Sequence, residues 1–257
     1  ELSREHGFSM AKCQSVFSVF QIAFTLTFTL IGGKLNDRLG PRVAGIAGGL
    51  IYCLGYALPG VFGVEYWSLV LFFGIIAGFG LGLAYISPMI AAQRNFPEHK
   101  SLVTGISVAG FGFGAVIISA AVELLLKRGY HLADIFKLLG VVFTVIILAS
   151  AMLFDHGAPE HAGKPKRINL RELARDRSFI SLFVAMFCGI FAGLMVISNL
   201  KPIGVSLGLS GIVAASGVSV IALFNGIGRV SWGGIAHKFG DKKSIRTAMI
   251  LLLIFPP

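Results

Sequence analysis

Long apolar segments, separated by short breaks that carry Pro, Gly and charge, follow one another along nearly the whole chain. A helix needs about 20 apolar residues to cross the ~30 Å hydrocarbon core of a bilayer. The segments are Val16–Gly33, Val43–Gly60, Trp67–Ala92, Leu102–Leu126, Ile135–Phe154, Phe179–Leu200, Gly211–Ala236 and Ile245 to the end. All but the last are long enough to span. The pattern predicts an all-α, polytopic membrane helical bundle.

Composition supports a membrane protein over a soluble one. The chain is 55% hydrophobic and only 13% charged, which is too little charge to cover a soluble surface. The net charge of +10 does not indicate nucleic-acid binding, because the basic residues lie between apolar segments and form no continuous patch. Cys13, Cys53 and Cys188 all lie in apolar stretches, where packing is the expected role of a free cysteine. No cofactor, metal or catalytic constellation is indicated. We expect a monomeric multi-pass protein of the cell membrane that contacts lipid and binds no nucleic acid.

The basic residues fix the orientation of the predicted spans. When the breaks are assigned alternately to the two membrane faces, 15 of the 22 Lys and Arg residues fall on one face, 6 on the other, and Arg229 within a span. Cytoplasmic loops carry the excess of Lys and Arg. The face with 15 basic residues is therefore predicted to be cytoplasmic, and residues 1–10 to begin outside.

The longest polar stretch, Asp155–Arg177, holds no run long enough to span the membrane. It predicts a cytoplasmic linker, with at most a short amphipathic helix near Leu170–Arg175. Residues 1–154 and 178–257 would then form two membrane halves. The chain begins with Glu1 and ends within an apolar run, so we expect it to be a piece of a longer protein.

One sequence motif occurs twice, 200 residues apart, at the cytoplasmic end of a glycine-bearing span. When the two copies are aligned, Gly33, Arg38, Gly40 and Arg42 of the first correspond to Gly233, Lys238, Gly240 and Lys242 of the second. Asp37 has no acidic counterpart, because His237 takes its place. An internal repeat in equivalent topological positions predicts two pseudo-symmetric halves, incomplete here.

The repeat resembles the signature loop of the major facilitator superfamily, Gly-x-x-x-Asp-Arg-x-Gly-Arg/Lys-Arg/Lys, which recurs between helices two and three and helices eight and nine. The resemblance implies two six-helix halves around a midplane site, of which this chain covers helices two to nine. It also implies that Gly33, Asp37, Arg38, Gly40 and Arg42, with Gly233, Lys238 and Gly240, govern conformation and do not bind substrate. Asp37 is expected to accept hydrogen bonds from a neighbouring helix N-terminus.

Further motifs are similar to the oxalate/formate antiporter branch, which is related to the monocarboxylate transporters. They are Gly78-Phe-Gly80-Leu-Gly82-Leu-Ala-Tyr85, Asn95-Phe96-Pro97, Gly110-Phe-Gly112-Phe-Gly114, Ser198-Asn199-Leu200-Lys201-Pro202 and Phe224-Asn225-Gly226-Ile-Gly228-Arg229. Asn95 departs from the branch, which usually has Trp before Phe-Pro, and Ser101 stands where Gly is usual. The glycine runs do not indicate a dinucleotide fold, because no βαβ unit accompanies them. Instead Gly78/Gly82, Gly110/Gly114 and Gly189/Gly193 are predicted helix-packing pairs.

Arg229 is the strongest candidate for substrate binding. An arginine inside a span is costly and usually faces a cavity or a partner, and its planar fork matches a carboxylate. The alternative is a side chain that extends to the cytoplasmic surface. Asn225 lies four residues earlier on the same face. The resemblance places Tyr85 at the cavity, although a packing tyrosine is an equal alternative.

The resemblance therefore implies a secondary carrier, not an enzyme, that exchanges small carboxylate anions by alternating access. Arg229, Asn225 and Tyr85 would bind the anion. A proton-coupled monocarboxylate symporter and a non-transporting sensor on the same fold remain alternatives.

The predicted orientation can be tested by cysteine labelling of intact cells that express the full-length protein. A cysteine at position 65 should react with a membrane-impermeant reagent from outside, whereas a cysteine at position 164 should react only after permeabilisation. The opposite pattern would contradict the assignment of the cytoplasmic face.

Overall fold

The computed structural model describes residues 7–153 and 175–254, and every regular element within these ranges is helical. The predicted linker lies outside the described residues except for 175–177, as does the predicted short helix near residue 170. The α-helices are α1 Met10–Thr27, α2 Gly33–Phe62, α3 Tyr66–Ser68, α4 Gly78–Ala84, α5 Ser87–Asn95, α6 Lys100–Lys127, α7 Leu132–Met152, α8 Arg177–Ser206, α9 Gly211–Phe239 and α10 Asp241–Ile254. Two π-helical segments, Phe28–Gly32 and Leu69–Ala77, and a 3-10 turn, Pro97–His99, connect some of them.

Several helices have the length and apolar character of membrane spans. Within the described residues, four helical stretches qualify: Ala11–Phe62, Tyr66–Asn95, Pro97–Lys127 and Leu132–Ser150. The first is 52 residues long and contains two predicted spans, because its backbone is non-helical at Gly40. Large apolar side chains such as Phe17, Ile117 and Phe187 are exposed, as expected for helices that face lipid. The predicted all-α polytopic bundle is confirmed.

Helix α1, which leads through a π-helical segment into the first motif copy, and α9, which contains the start of the second copy, begin in the same way. Ser9 caps α1 and Ser210 caps α9, and each hydroxyl accepts a hydrogen bond from the backbone N–H three residues later, at 3.3 Å and 3.4 Å. A serine cap satisfies one of the N–H groups that the first helical turn leaves without a partner. Both of these helices therefore start at a capping serine.

The described helices fall into two compact units, one of residues 1–98 and 118–160 and the other of 99–117 and 161–257. In the first unit, α2 packs against α7, and α4 packs against α1 and α2. Glycines permit the close approach on α4. A Cβ on Gly78 would lie 2.7 Å from the Phe20 carbonyl oxygen, and one on Gly82 would lie 2.6 Å from the Thr27 Cβ. The predicted packing role of this glycine pair is confirmed.

In the second unit, the first part of α6 packs against α9 through a different set of glycines from the predicted one. A Cβ on Gly112 would lie 2.7 Å from the Ala222 carbonyl oxygen, and one on Gly233 would lie 2.9 Å from the Ser101 carbonyl oxygen. The predicted pairs Gly110/Gly114 and Gly189/Gly193 have no described atom within 4 Å of their Cβ positions. A packing role for these two pairs is therefore not seen among the described residues, because spacing alone does not reveal which face of a helix meets its neighbour.

The cysteines differ in their surroundings. Cys53 is buried within the first unit and Cys13 is half-buried, which agrees with a packing role. Cys188 on α8 is exposed, so the expected packing role is not seen for it. An exposed thiol on an apolar helix behaves as a small hydrophobic side chain that faces lipid.

The two motif copies share an unusual backbone conformation at their second glycine. Gly40 has φ 80° and ψ 162°, and Gly240 has φ 87° and ψ 148°. This region is open almost only to glycine, since a Cβ would collide with the neighbouring backbone. Each glycine separates one helical span from the next, so the motif encodes a sharp turn of the chain.

Replacement of Gly40 by alanine should lower the free energy of unfolding by about 1–3 kcal/mol, because alanine is strained at this φ and ψ. The matched control is Gly33→Ala, at a helical residue with φ −61° whose Cβ would meet no described atom within 4 Å. The control should change stability by less than about 1 kcal/mol. Thermal melting of the purified full-length variants measures both, and equal melting temperatures would contradict the proposed role of the turn.

Candidate functional site

Arg229 and Asn225 lie one turn apart on α9 and are hydrogen-bonded to each other. The Arg229 Nε donates to the Asn225 Oδ1 at 2.7 Å, and both side chains are exposed. Asn225 therefore lies beside Arg229 on the same face of α9, as the sequence spacing predicted. In the part of the chain that the structure describes, the guanidinium uses only Nε, so its two terminal nitrogens keep their donors. These two nitrogens are a pair that can bind a carboxylate through parallel hydrogen bonds.

The backbone beneath this pair is held by α6. A Cβ on Gly105 would lie 2.5 Å from the Arg229 carbonyl oxygen, so α6 approaches α9 at the turn that carries the arginine. Gly226, between the two site residues, is buried, and its missing Cβ would meet the Phe113 ring at 3.4 Å. Such close contact leaves the α9 backbone little freedom and holds the start of the Arg229 side chain in a defined position.

Tyr85 lies in the other compact unit, where helix α4 ends and before α5 begins. Its ring makes edge-on contacts with Phe24 and Phe28 at centroid distances of 5.3 Å and 5.5 Å. These contacts show that aromatic packing accounts for part of the role of Tyr85. A substrate site shared by Tyr85 and Arg229 stays a prediction.

A buried polar cluster around Asn36 is a feature that the sequence analysis missed. The Asn36 amide donates to the Gly32 carbonyl at 2.9 Å and to the Leu83 carbonyl at 3.4 Å. The Ser87 hydroxyl in turn donates to the Asn36 Oδ1 at 2.9 Å, and both side chains are fully buried. The cluster ties the start of α2 to the junction of α4 and α5, next to Tyr85. The sequence did contain a signal for this cluster: the first motif copy has an amide at Asn36, where the second copy has Ala236.

The charged residues of the motif lie at the surface of their units. Asp37, Arg38 and Lys238 are exposed, whereas Arg42 is half-buried. No hydrogen bond from a helix N-terminus to the Asp37 carboxylate occurs among the described residues. That predicted contact, like the conformational role of the motif, stays a prediction.

Two further observations concern an ion pair and the metal-binding types of side chain. Glu123 pairs with Lys127 across one turn of α6, with 2.8 Å between Oε1 and Nζ. Within the described ranges there is no group of three or more His, Cys, Asp or Glu side chains that could hold a metal ion.

A chain of long apolar helices with two copies of a glycine-turn motif has the features of a multi-pass membrane transporter, not of an enzyme. The comparison with known families agrees with this class. The chain belongs to the Major Facilitator Superfamily, whose family pattern matches residues 1–256.

Curated relatives share modest sequence identity with the chain. The oxalate:formate antiporter of Oxalobacter formigenes is 30% identical over 97% of this chain and 61% of its own length. Monocarboxylate transporter 11 of Homo sapiens is 26% identical over 91% of this chain and 50% of its own length. Apicoplast pyruvate carrier 1 of Toxoplasma gondii is 40% identical, but over only 35% of this chain and 16% of its own length. The chain thus spans about three fifths of the length of the first of these relatives.

The close approach of α6 to the arginine-bearing turn can be tested with two alanine variants on the same helix. Gly105→Ala should overpack the contact with the Arg229 carbonyl and destabilise the protein by about 1–3 kcal/mol. Gly110→Ala, whose Cβ would meet no described atom within 4 Å, should be neutral or slightly stabilising. The measurement is thermal melting in detergent. A lower melting temperature for the Gly110 variant than for the Gly105 variant would contradict the described packing.

Proposed function

We propose that the full-length protein is a secondary carrier that exchanges small carboxylate anions across the membrane by alternating access. The observation that carries the proposal is the Arg229–Asn225 hydrogen bond, which fixes one edge of the guanidinium and leaves its two terminal nitrogens to bind an anion. The names of the relatives, which include an oxalate:formate antiporter and a pyruvate carrier, support a carboxylate as substrate.

In this proposal Arg229 supplies both the charge and the geometry of recognition. A carboxylate accepts two parallel hydrogen bonds from a guanidinium, whereas a lysine ammonium offers only a point charge. Asn225 orients the fork through its Oδ1, and Tyr85 adds a phenolic donor from the N-terminal half. Residues 1–154 and 178–257 would be the two halves that rock about this site, joined by the linker Asp155–Arg177.

The amide at position 225 favours exchange over proton coupling. The related proton-coupled monocarboxylate carriers bear an aspartate four residues before the equivalent arginine, and an aspartate there exchanges a proton as the nearby charge changes. Asn225 cannot titrate. When the site is empty, Arg229 keeps an uncompensated positive charge, which is costly within a membrane. The return of the empty carrier should therefore be slow, and a bound anion should speed it by neutralising the charge.

Uptake into liposomes that contain the full-length protein tests the proposal. Radiolabelled oxalate, formate or lactate should enter quickly when the liposomes hold unlabelled anion and slowly when they are empty, with little dependence on an imposed proton gradient. Fast entry into empty liposomes that follows the proton gradient would contradict exchange and favour the symporter. Absence of any carboxylate uptake or binding would favour a sensor.

Arg229→Lys provides the matched variant for the same assay. It keeps the positive charge but loses the planar fork, so the affinity for the anion should fall by about tenfold or more, the equivalent of one lost charge-assisted hydrogen bond. Arg246→Lys, at an exposed position on α10, is the control and should leave uptake unchanged. If wild type and the Arg229 variant bind the anion with equal affinity, Arg229 is not part of the binding site.

A further inference from the structure

Two histidines from distant parts of the chain meet in the second compact unit. His99 ends the 3-10 turn before α6, and His237 lies in the last turn of α9. The His99 Nδ1 and the His237 Nε2 are 3.1 Å apart, with ring centroids separated by 4.7 Å, and both side chains are exposed. The proposed carboxylate carrier uses neither residue, and His237 replaces the aspartate of the first motif copy.

The backbone around the two histidines is held by further contacts. The Ser101 hydroxyl donates to the Asp241 carboxylate at 3.0 Å, which links the start of α6 to the start of α10. Gly233, one turn before His237, packs against the Ser101 carbonyl. Contacts therefore fix the chain two residues after His99 and four residues on either side of His237. The imidazoles are thus brought together by the fold, which lowers the entropic cost of any ligand that needs both.

We propose that His99 and His237 form a two-histidine site for a transition-metal ion of the zinc class. A tetrahedral zinc ion with Zn–N bonds of 2.0–2.1 Å requires its two nitrogen ligands to be about 3.3 Å apart. The observed separation of 3.1 Å is close to this value, and each ring must turn so that its nitrogen lone pair points to the ion instead of to the other ring. Imidazole nitrogens suit Zn²⁺, Cu²⁺ and Ni²⁺, and water can complete the coordination.

The metal-free contact and the metal-bound site differ by the position of one proton. Without metal, one of the facing nitrogens donates its N–H to the other, which must be unprotonated. Metal binding needs both facing nitrogens unprotonated, so the donor ring moves its proton to its other nitrogen. Both rings stay neutral, and no net proton is released.

A bound ion would join the start of α6 to the end of α9. These helices lie on opposite sides of the predicted linker, and thus in the two halves whose rocking the proposed function requires. Zinc should therefore hold the arrangement seen here and slow transport. This consequence rests on the proposed function, whereas the metal site itself does not.

The site is tested by titrating ZnCl₂ into the purified full-length protein, prepared without a polyhistidine tag, in a calorimeter at neutral pH. His99→Ala and His237→Ala remove one ligand each. His131→Ala, at an exposed histidine just before α7, is the matched control. We expect one zinc ion per chain in wild type and in the control, and an affinity at least about tenfold weaker in each ligand variant. Thermal melting without zinc verifies that all four proteins are folded.

Three outcomes would overturn the proposed site: no zinc binding by wild type, equal affinity in all four proteins, or loss of binding in the His131 variant alone. The same zinc concentrations are then applied to anion exchange in liposomes. Inhibition that disappears in the two ligand variants supports the bridging role. Zinc binding without inhibition of transport would support the metal site but contradict its bridging role. Absence of carboxylate transport in metal-free protein contradicts the proposed function alone.

Discussion

Helix backbones approach each other within van der Waals distance where a glycine leaves no side chain between them. The packing of both units, and the geometry of the candidate sites, depend on these contacts. In a bilayer the apolar side chains gain little by leaving lipid, so association depends on close packing of small residues. Gly78 and Gly82 set α4 against α1, and Gly105 and Gly233 set α6 against α9. A methyl group at any of these positions would meet an atom of the neighbouring helix at less than 3.0 Å.

The candidate site derives its geometry from this packing. Arg229 projects from a turn of α9 whose carbonyl oxygen faces Gly105, so the base of its side chain cannot shift without moving a second helix. Asn225 then restrains the guanidinium end, because its Oδ1 accepts a hydrogen bond from the Arg229 Nε. The same helix pair brings His99 and His237 together further along. A single packed seam thus positions both the proposed anion site and the proposed metal site.

The sequence predicted the helical class, the apolar spans and the twofold motif, because bilayer thickness and residue spacing leave few alternatives. It also predicted that Asn225 lies beside Arg229, since residues four apart on a helix share a face. It failed for Gly110/Gly114, where the same spacing does not identify the packed face. It missed the Asn36–Ser87 bond, whose partners are 51 residues apart.

The sequence by itself determined that this chain crosses a membrane as helices and carries one motif twice, because apolar length and residue spacing act within a few residues. Only the tertiary structure decided which glycines meet a neighbour, where Asn36 finds its partners, and that His99 lies beside His237. These outcomes depend on the rotation of one helix against another. That rotation is set by the summed packing of whole helix faces, which no local pattern of residues specifies.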